Sequence, residues 1–268
     1  MGPFTTFKNR TWIRAVLEMK TALAVGSRLS LEPVGTDMPV MKDAWGRPFI
    51  PGSSLKGAIR AQAERILRAI DRWPLLWACD PFGAPCVDST ERDELWGKSG
   101  EDDARFSDAV FEQSCTACRL FGSPWFAGRV AFKDAYLINL EDLPMVYQIR
   151  DGVGIDRDLG AARAGIKYDF ETVVPGACFQ IEILAENLED WEIGFLHAVL
   201  NLWSEGGIAV GGKSTRGLGW GVLRDLTFQR VEPANLLAYL QNREIPPSAD
   251  WRRFAEAFTE RLKEVGYA

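Results

Sequence analysis

Four of the five cysteines fall into two close pairs, and thiolates at such spacing can share one metal ion. Cys115 and Cys118 form the tight pair "CTAC", while Cys79 and Cys86 flank "DPFGAP" with six residues between them. A C-x2-C pair lets both sulfurs reach one ion, and a second pair completes a four-thiolate zinc site. The wider pair is looser than most zinc knuckles, so reduced buried thiols or a redox pair fit the same spacing. Cys178 stands apart, ahead of a strand-like run, and is expected as a core thiol.

A second chemical signal lies in "PGSSLKGAIRAQAERILRAI", Pro51 to Ile70. Leu55, Ile59, Ala63, Ile66 and Ile70 recur at helical spacing, whereas Lys56, Arg60, Glu64, Arg65 and Arg68 fall on other faces, which predicts a helix ending near Ile70. Ser53 or Ser54 is the expected cap. Unpaired N–H groups, the positive end of the helix dipole and Lys56 together suit an anion. This is not a Walker P-loop, which needs Ser or Thr after its lysine; here Gly57 follows Lys56. A capped helix with a solvated lysine accounts for the same residues.

These groups must be positioned by a chain of 268 residues that is 47% hydrophobic, enough for a substantial core. No apolar run reaches membrane-spanning length, and "MGPFTTFKNRTWIR" has no signal-peptide core and no myristoylation pattern, so a cytoplasmic location is expected. In that compartment five cysteines argue poorly for a disulfide framework. A net charge of −6 argues against bulk attraction to nucleic acid, so any RNA site must be local.

Period-two patterning marks strands in "TWIRAVLEMKT", "GRVAFKDAYLINL", "CFQIEILAE" and "WGVLRDLTFQRV". A second helix is expected from about Asp190 to Ser204, with Trp191, Leu196, Val199, Leu200 and Trp203 at helical spacing. The only histidine, His197, sits among them, which favours a structural or partly exposed role over catalysis. A terminal helix is expected in "PSADWRRFAEAFTERLKEV", with Trp251, Phe254, Phe258, Leu262 and Val265 on one side.

Without its insertions the order is strand, helix, strand, strand, helix, strand, which is a ferredoxin-like (RRM-like) α+β core. The expected organisation is one domain over residues 1–268. Core elements occupy about 12–70, 128–140 and 178–230, with a cysteine-rich insertion at 71–127, a second insertion at 141–177 and a helical tail at 231–268.

"DMPVMKDAWGRPFIPGSSLKGAIR" and "GGKSTRGLGWGVL" together resemble the RAMP superfamily, specifically the guide-RNA-binding backbone subunits of type III CRISPR effector complexes. "CTACRLFGSPWFAGRVAFKDA" and "VGIDRDLGAARAGIKYDFETVVPG" are similar to stretches of the same subfamily, so the resemblance runs from about Ala15 to Leu226. It implies a subunit that stacks with copies or paralogues and other effector subunits along guide RNA (crRNA) and meets complementary target RNA. Ser53, Ser54, Lys56 and Arg60 would grip the guide backbone, supported by the glycine-rich loop with Gly211, Gly212, Lys213, Ser214, Arg216 and Gly217. Backbone N–H groups, hydroxyls and cations read phosphate without reading bases, which suits such a role.

Within the resemblance, the 141–177 insertion matches a thumb, a projecting hairpin that intrudes between guide and target. Ile155, Asp156, Arg157 and Lys167 fall in that block. Residues alone would make it a surface loop. In subunits that cut target RNA, an aspartate precedes the Pro-Gly-Ser-Ser segment, and "TDMPVMKD" puts Asp37 there, with Asp43 as competitor and Glu32 in the preceding loop. Such an aspartate either binds a divalent ion, Mg or Mn, or orients the ribose 2′-hydroxyl directly. By itself, an aspartate in a polar loop is a turn-former. Non-catalytic guide binding is the alternative. A RAMP endoribonuclease processing precursor RNA would need His197, whose place inside a helix fits poorly.

Overall fold

The computed structural model describes residues 5–26, 36–242 and 250–267. Glu32, residues 1–4 at the start of the chain and residues 247–249 of the expected tail helix lie outside the described residues. Over the described residues the fold is mixed α/β, with a four-stranded sheet and three two-stranded ones.

Strand β1 (Arg10–Met19) alternates as its residues require. Thr11, Ile13, Ala15, Leu17 and Met19 are buried, and Arg10, Arg14, Val16 and Glu18 are partly exposed. After β2 (Phe49–Ile50), helix α1 spans Gly52–Ile70. Its buried stripe is Leu55, Ile59, Ala63, Leu67 and Ile70, since a four-residue step from Ala63 lands on Leu67 and leaves Ile66 at the rim. Neither Ser53 nor Ser54 caps the helix. Pro51 holds the N-cap position without a side-chain bond, and the Gly52 N–H donates to Asp134 Oδ1 at 2.7 Å.

The cysteine-rich insertion, too irregular in sequence to read as one element, folds into α2 (Ser89–Lys98), α3 (Asp103–Gln113) and α4 (Thr116–Phe121). Asp88 and Asp102 cap the first two, and Glu91 completes a reciprocal box with Asp88. A tight hairpin follows, β3 (Gly122–Ser123) with β4 (Phe126–Ala127). The expected strand over 128–140 splits at Lys133 and Asp134. Its first part, β5 (Val130–Phe132), joins the main sheet, whereas β6 (Ala135–Tyr136) pairs with β2.

The insertion at 141–177 is a long antiparallel hairpin, β7 (Tyr147–Asp156) with β8 (Ala161–Val173). Then come β9 (Cys178–Glu186), α5 (Asp190–Ser204), β10 (Gly221–Val231), the short α6 (Leu236–Asn242) and α7 (Trp251–Glu264).

The main sheet has the order β10-β1-β9-β5 with antiparallel pairing throughout. Ile13 lies opposite both Ile183 and Phe228, and Leu17 opposite both Phe179 and Leu223, so one face is continuously apolar and joins α1 and α5 in the core. The other face carries ion pairs, Arg10–Glu186, Arg14–Glu182, Lys133–Glu182 and Arg224–Glu18. On that face α6 covers Trp12 with Tyr239, ring centroids 5.4 Å apart. Asp225, at φ 54°, sits where the β1–β10 register shifts and two residues of β10 face one of β1.

Gly194 lets α7 approach α5 closely, because a Cβ there would fall 1.9 Å from the Phe254 carbonyl oxygen. Arg129 and Glu192, both buried, form a two-pronged pair between the start of β5 and α5. Cys178 is half-buried at the first position of β9 rather than in the core, because the strand begins at the surface turn after Pro175.

Candidate functional site

The cysteine pairs converge. The Sγ atoms of Cys79, Cys86, Cys115 and Cys118 all lie within 4.8 Å of one another. The separations Cys79–Cys118 and Cys115–Cys79 are 3.7 and 3.8 Å. A tetrahedron of Zn–S bonds of about 2.3 Å has sulfur–sulfur edges of roughly 3.8 Å, so these cysteines fit a zinc ion and form a cluster able to hold a metal. Hydrogen bonds from Cys118, Cys79 and Cys86 hold the Cys115 thiol far below its ordinary pKa, and the contact with Cys115 pushes Cys118 up. Cys115 is the N-cap of α4, and its sulfur accepts the Cys118 N–H. The loop between Cys79 and Cys86 is too long to bring its two sulfurs together unaided. Asp80 folds it back, accepting the Phe82 N–H at 3.0 Å while the Ala84 N–H reaches the Asp80 carbonyl.

Arg60 is tied to this cluster. Its guanidinium bonds Glu64 at 2.7 Å and the Gly122 carbonyl at 3.0 Å, and it lies 3.8 Å from the Cys118 sulfur. Burial lowers its pKa, but the bond and charge of Glu64 outweigh that and raise it. One turn earlier, Lys56 has no hydrogen bond or ion pair among the described residues. Its pKa is lowered by burial and then by the neighbouring Arg60 charge.

The adjoining face of α1 borders a second feature. Ser54, Gly57 and Ala58 line a groove of about 470 Å³ whose opposite wall is Ala24 to Gly26 and Ala209, Gly211 and Gly212. Ser53 is exposed beside it. The glycine-rich loop is fastened to the chain after β1, with Gly212 N donating to the Ala24 carbonyl and Gly219 N to that of Ala22, both at 2.8 Å. Gly211 has φ +85°, and a Cβ on it would come within 2.5 Å of the Ala24 carbonyl, so this close approach requires glycine.

The same loop meets the base of the hairpin. Lys213, itself at φ 62°, places its ammonium 4.3 Å from the Phe170 ring centroid, and Arg216 donates to the Tyr168 hydroxyl at 2.8 Å. Ser214 accepts the Trp220 indole N–H through its carbonyl, and Gly217 ends this short turn. Leu23 bridges to Val173 and Met38 to Phe170. Groove, glycine-rich loop, hairpin base and the Asp37 segment therefore form one continuous surface.

Asp37 is exposed there. Its N–H donates to Asp169 Oδ1 at 2.8 Å, and the Asp169 N–H donates to Asp37 Oδ2 at 3.0 Å. Asp43 is otherwise engaged. Its carboxylate accepts the backbone N–H groups of Trp45 and Arg47, both at 2.9 Å, and pairs with the Arg47 side chain at 2.8 Å. Slight burial raises its pKa, and the Arg47 and Trp45 bonds more than reverse this. It is a turn-former.

Ile155, Asp156 and Arg157 lie at the far end of the hairpin, remote in strand register from its base. Ile155 is exposed, Asp156 accepts the N–H groups of Asp158 and Leu159 to close the tip, and Lys167 pairs with Asp151 at 3.1 Å. His197 is buried, stacked on Trp251 with centroids 4.7 Å apart and edge-on to Phe228, which does not position it for acid–base chemistry.

Asp134, Tyr168 and Asp169 escaped the sequence reading. Each acts on a partner dozens of residues away, so no local pattern marks it. No helix among the described residues is long and apolar enough to cross a membrane.

The family described as the RAMP superfamily matches residues 10–222 of the chain. The CRISPR system Cms endoribonuclease Csm3 of Methanocaldococcus jannaschii is 29% identical over 188 residues, covering 67% of this chain and 64% of that protein. The protein of the same name from Mycobacterium tuberculosis is 27% identical over 191 residues, covering 68% and 66%. The chain thus spans just under two thirds of the length of either relative.

Proposed function

Since the chain belongs to the RAMP superfamily and is homologous to Csm3-type CRISPR proteins, we propose that it is a backbone subunit of a type III CRISPR effector complex, gripping guide RNA along the groove beside α1. We read the β10-β1-β9-β5 sheet with α1 and α5 as a ferredoxin-like core and the β7–β8 hairpin as its thumb. The observation that carries the reading is the groove itself. Its walls are small residues and backbone, with Lys56 next in sequence to its wall residue Gly57 and Lys213 and Arg216 following Gly211 and Gly212 in the glycine-rich loop, an arrangement suited to a sugar-phosphate chain of any sequence.

Asp134 already occupies the first N–H of α1, so phosphate would be held further along, by the Ser53 and Ser54 hydroxyls and the Lys56 ammonium. Co-purification followed by sequencing of the bound RNA is the direct test. Repeat-derived tags are expected, and their absence from an RNA-free protein that binds no guide in reconstitution overturns the reading.

Cleavage of the paired target is a second reading, favoured by the exposed Asp37 at the hairpin base and by the name endoribonuclease carried by both relatives. Asp37 and Asp169 present adjacent carboxylates, an oxygen-only set that fits a hard divalent cation, magnesium or manganese. Such an ion, when bound, supplies positive charge for attack by a 2′-hydroxyl on its neighbouring phosphate. Asp37 would orient that hydroxyl while the hairpin holds the adjoining nucleotides apart. The four-cysteine cluster would hold structural zinc, which ties the ends of an insertion with little core of its own.

A further inference from the structure

A second cavity, about 670 Å³, opens on the face of α1 next to the groove, between that helix, the loop joining Cys79 to Cys86 and the β3–β4 hairpin. Its volume lies in the range of small-ligand sites, roughly 300–1,000 Å³. Most of its lining is apolar, including Pro124, Trp125 and Phe126, and its cation without a partner among the described residues is Lys56. Gly57 lines both this cavity and the groove, so the two are separated only by the width of one residue without a side chain.

Two aromatic rings flank the space. Phe82 stands at its edge 98% exposed, supported by a loop that Asp80 folds, and contributes nothing to the core. Trp125 is fixed, its indole N–H donating to the Val87 carbonyl at 2.8 Å. A large ring left wholly in water on a short ordered loop is costly unless something stacks on it.

We propose that this cavity receives one nucleotide of single-stranded RNA, its phosphate at Lys56 and Gly57 and its base against Phe82 and Trp125. The inference rests on the proposed RNA groove, of which the cavity is the side branch. A strand lying in the groove beside Gly57 is within reach of Lys56, whose desolvated ammonium gains from a phosphate, and turning one base across Gly57 buries that base on an apolar wall. Every base has a flat π-face, so the pocket would accept any of the four.

Binding of a single-stranded RNA oligomer to the full chain, compared with the same oligomer made abasic throughout, tests this. For Phe82→Ala, a loss of roughly 5- to 150-fold is expected on base-bearing RNA, the range seen when a stacking aromatic is truncated. No loss is expected on abasic RNA, and no change in salt slope. Phe82→Trp should restore the affinity. Because Phe82 is outside the core, Phe82→Ala should keep the wild-type thermal midpoint, so an effect on binding is not an effect on folding. Unchanged affinity in both Phe82→Ala and Trp125→Ala, with wild-type protein binding RNA well, overturns the cavity proposal and leaves the groove. Equal losses on both RNAs overturn it too. Failure of the wild-type protein to bind either RNA removes the groove reading and this inference with it.

Discussion

Asp37 and Asp169 exchange hydrogen bonds across 132 residues of sequence, each carboxylate accepting the other's backbone N–H at 3.0 and 2.8 Å. The pair pins an exposed loop to the base of the β7–β8 hairpin and leaves one oxygen of each carboxylate out of the exchange. If Asp37 acts on RNA, Asp37→Asn should abolish regularly spaced cuts in an assembled complex with complementary target and magnesium or manganese, while guide binding persists. Asp43→Asn should retain cutting, since Asp43 serves the Trp45–Arg47 turn. Loss only in Asp43→Asn, or cuts that survive Asp37→Asn, would refute the assignment.

Guide affinity should fall with salt, and single substitutions should flatten that dependence. Lys56→Ala and Arg216→Ala are each expected to reduce the log–log slope by about 0.7, the value for one phosphate contact on a single strand. Arg60→Ala should leave the slope alone and loosen the cysteine cluster instead, because its guanidinium is spent on Glu64, Gly122 and Cys118. Titrations at several salt concentrations separate the two behaviours.

Metal analysis of washed protein should return one zinc per chain, lost in a Cys115→Ala and Cys118→Ala double variant. A chelator should lower the thermal midpoint of the wild-type protein and leave that of the double variant unchanged, since bound metal contributes directly to folding. Zinc-free protein whose midpoint ignores chelator would refute the site.

His197 should make the protein acid-sensitive. Burial lowers its pKa below the ordinary 6.5, so the unfolded chain takes up a proton that the folded one refuses. Its contribution is neutral above the unfolded pKa and destabilising as pH falls through about 6.5. Denaturant midpoints at pH 7.5 and 5.5 should differ more in wild type than in His197→Phe, which keeps a ring against Trp251 and Phe228. Equal differences would refute it.

Glu192→Gln should cost about 3–5 kcal/mol by leaving a buried guanidinium without its counter-charge. Glu192 is also the inner partner of the box that starts α5, accepting the Glu189 N–H at 2.9 Å. Chemical denaturation of the purified variant measures the loss.

Elements with one apolar stripe were legible in sequence. β9 and α5 begin and end where alternation and helical spacing begin and end. The cysteine cluster was legible in pairs, although only the folded insertion brings the pairs together. α2 and α3 were not, because Leu95 and Val110 are their only buried residues and the one stripe present, Phe106, Ala109 and Val110, is a single turn long; the Asp88 to Glu91 box was the available signal. The α1 cap was misread for a different reason. Ser53 and Ser54 sit where a local cap belongs, yet Asp134, which lies 82 residues away, fills that role. The same holds for Asp169, whose pairing with Asp37 depends on where the hairpin docks.

The bulge at Asp225 governs how the sheet ends. β10 is an outermost strand of eleven residues, long enough for an undistorted edge to act as a template for a foreign strand. Asp225 turns the backbone left-handed midway and interrupts the row of free N–H and carbonyl groups, and a charged side chain marks the break. The opposite edge, β5, has only three residues. With both borders blunted, the sheet resists growth by edge-to-edge addition, which protects the chain from aggregation through its strands.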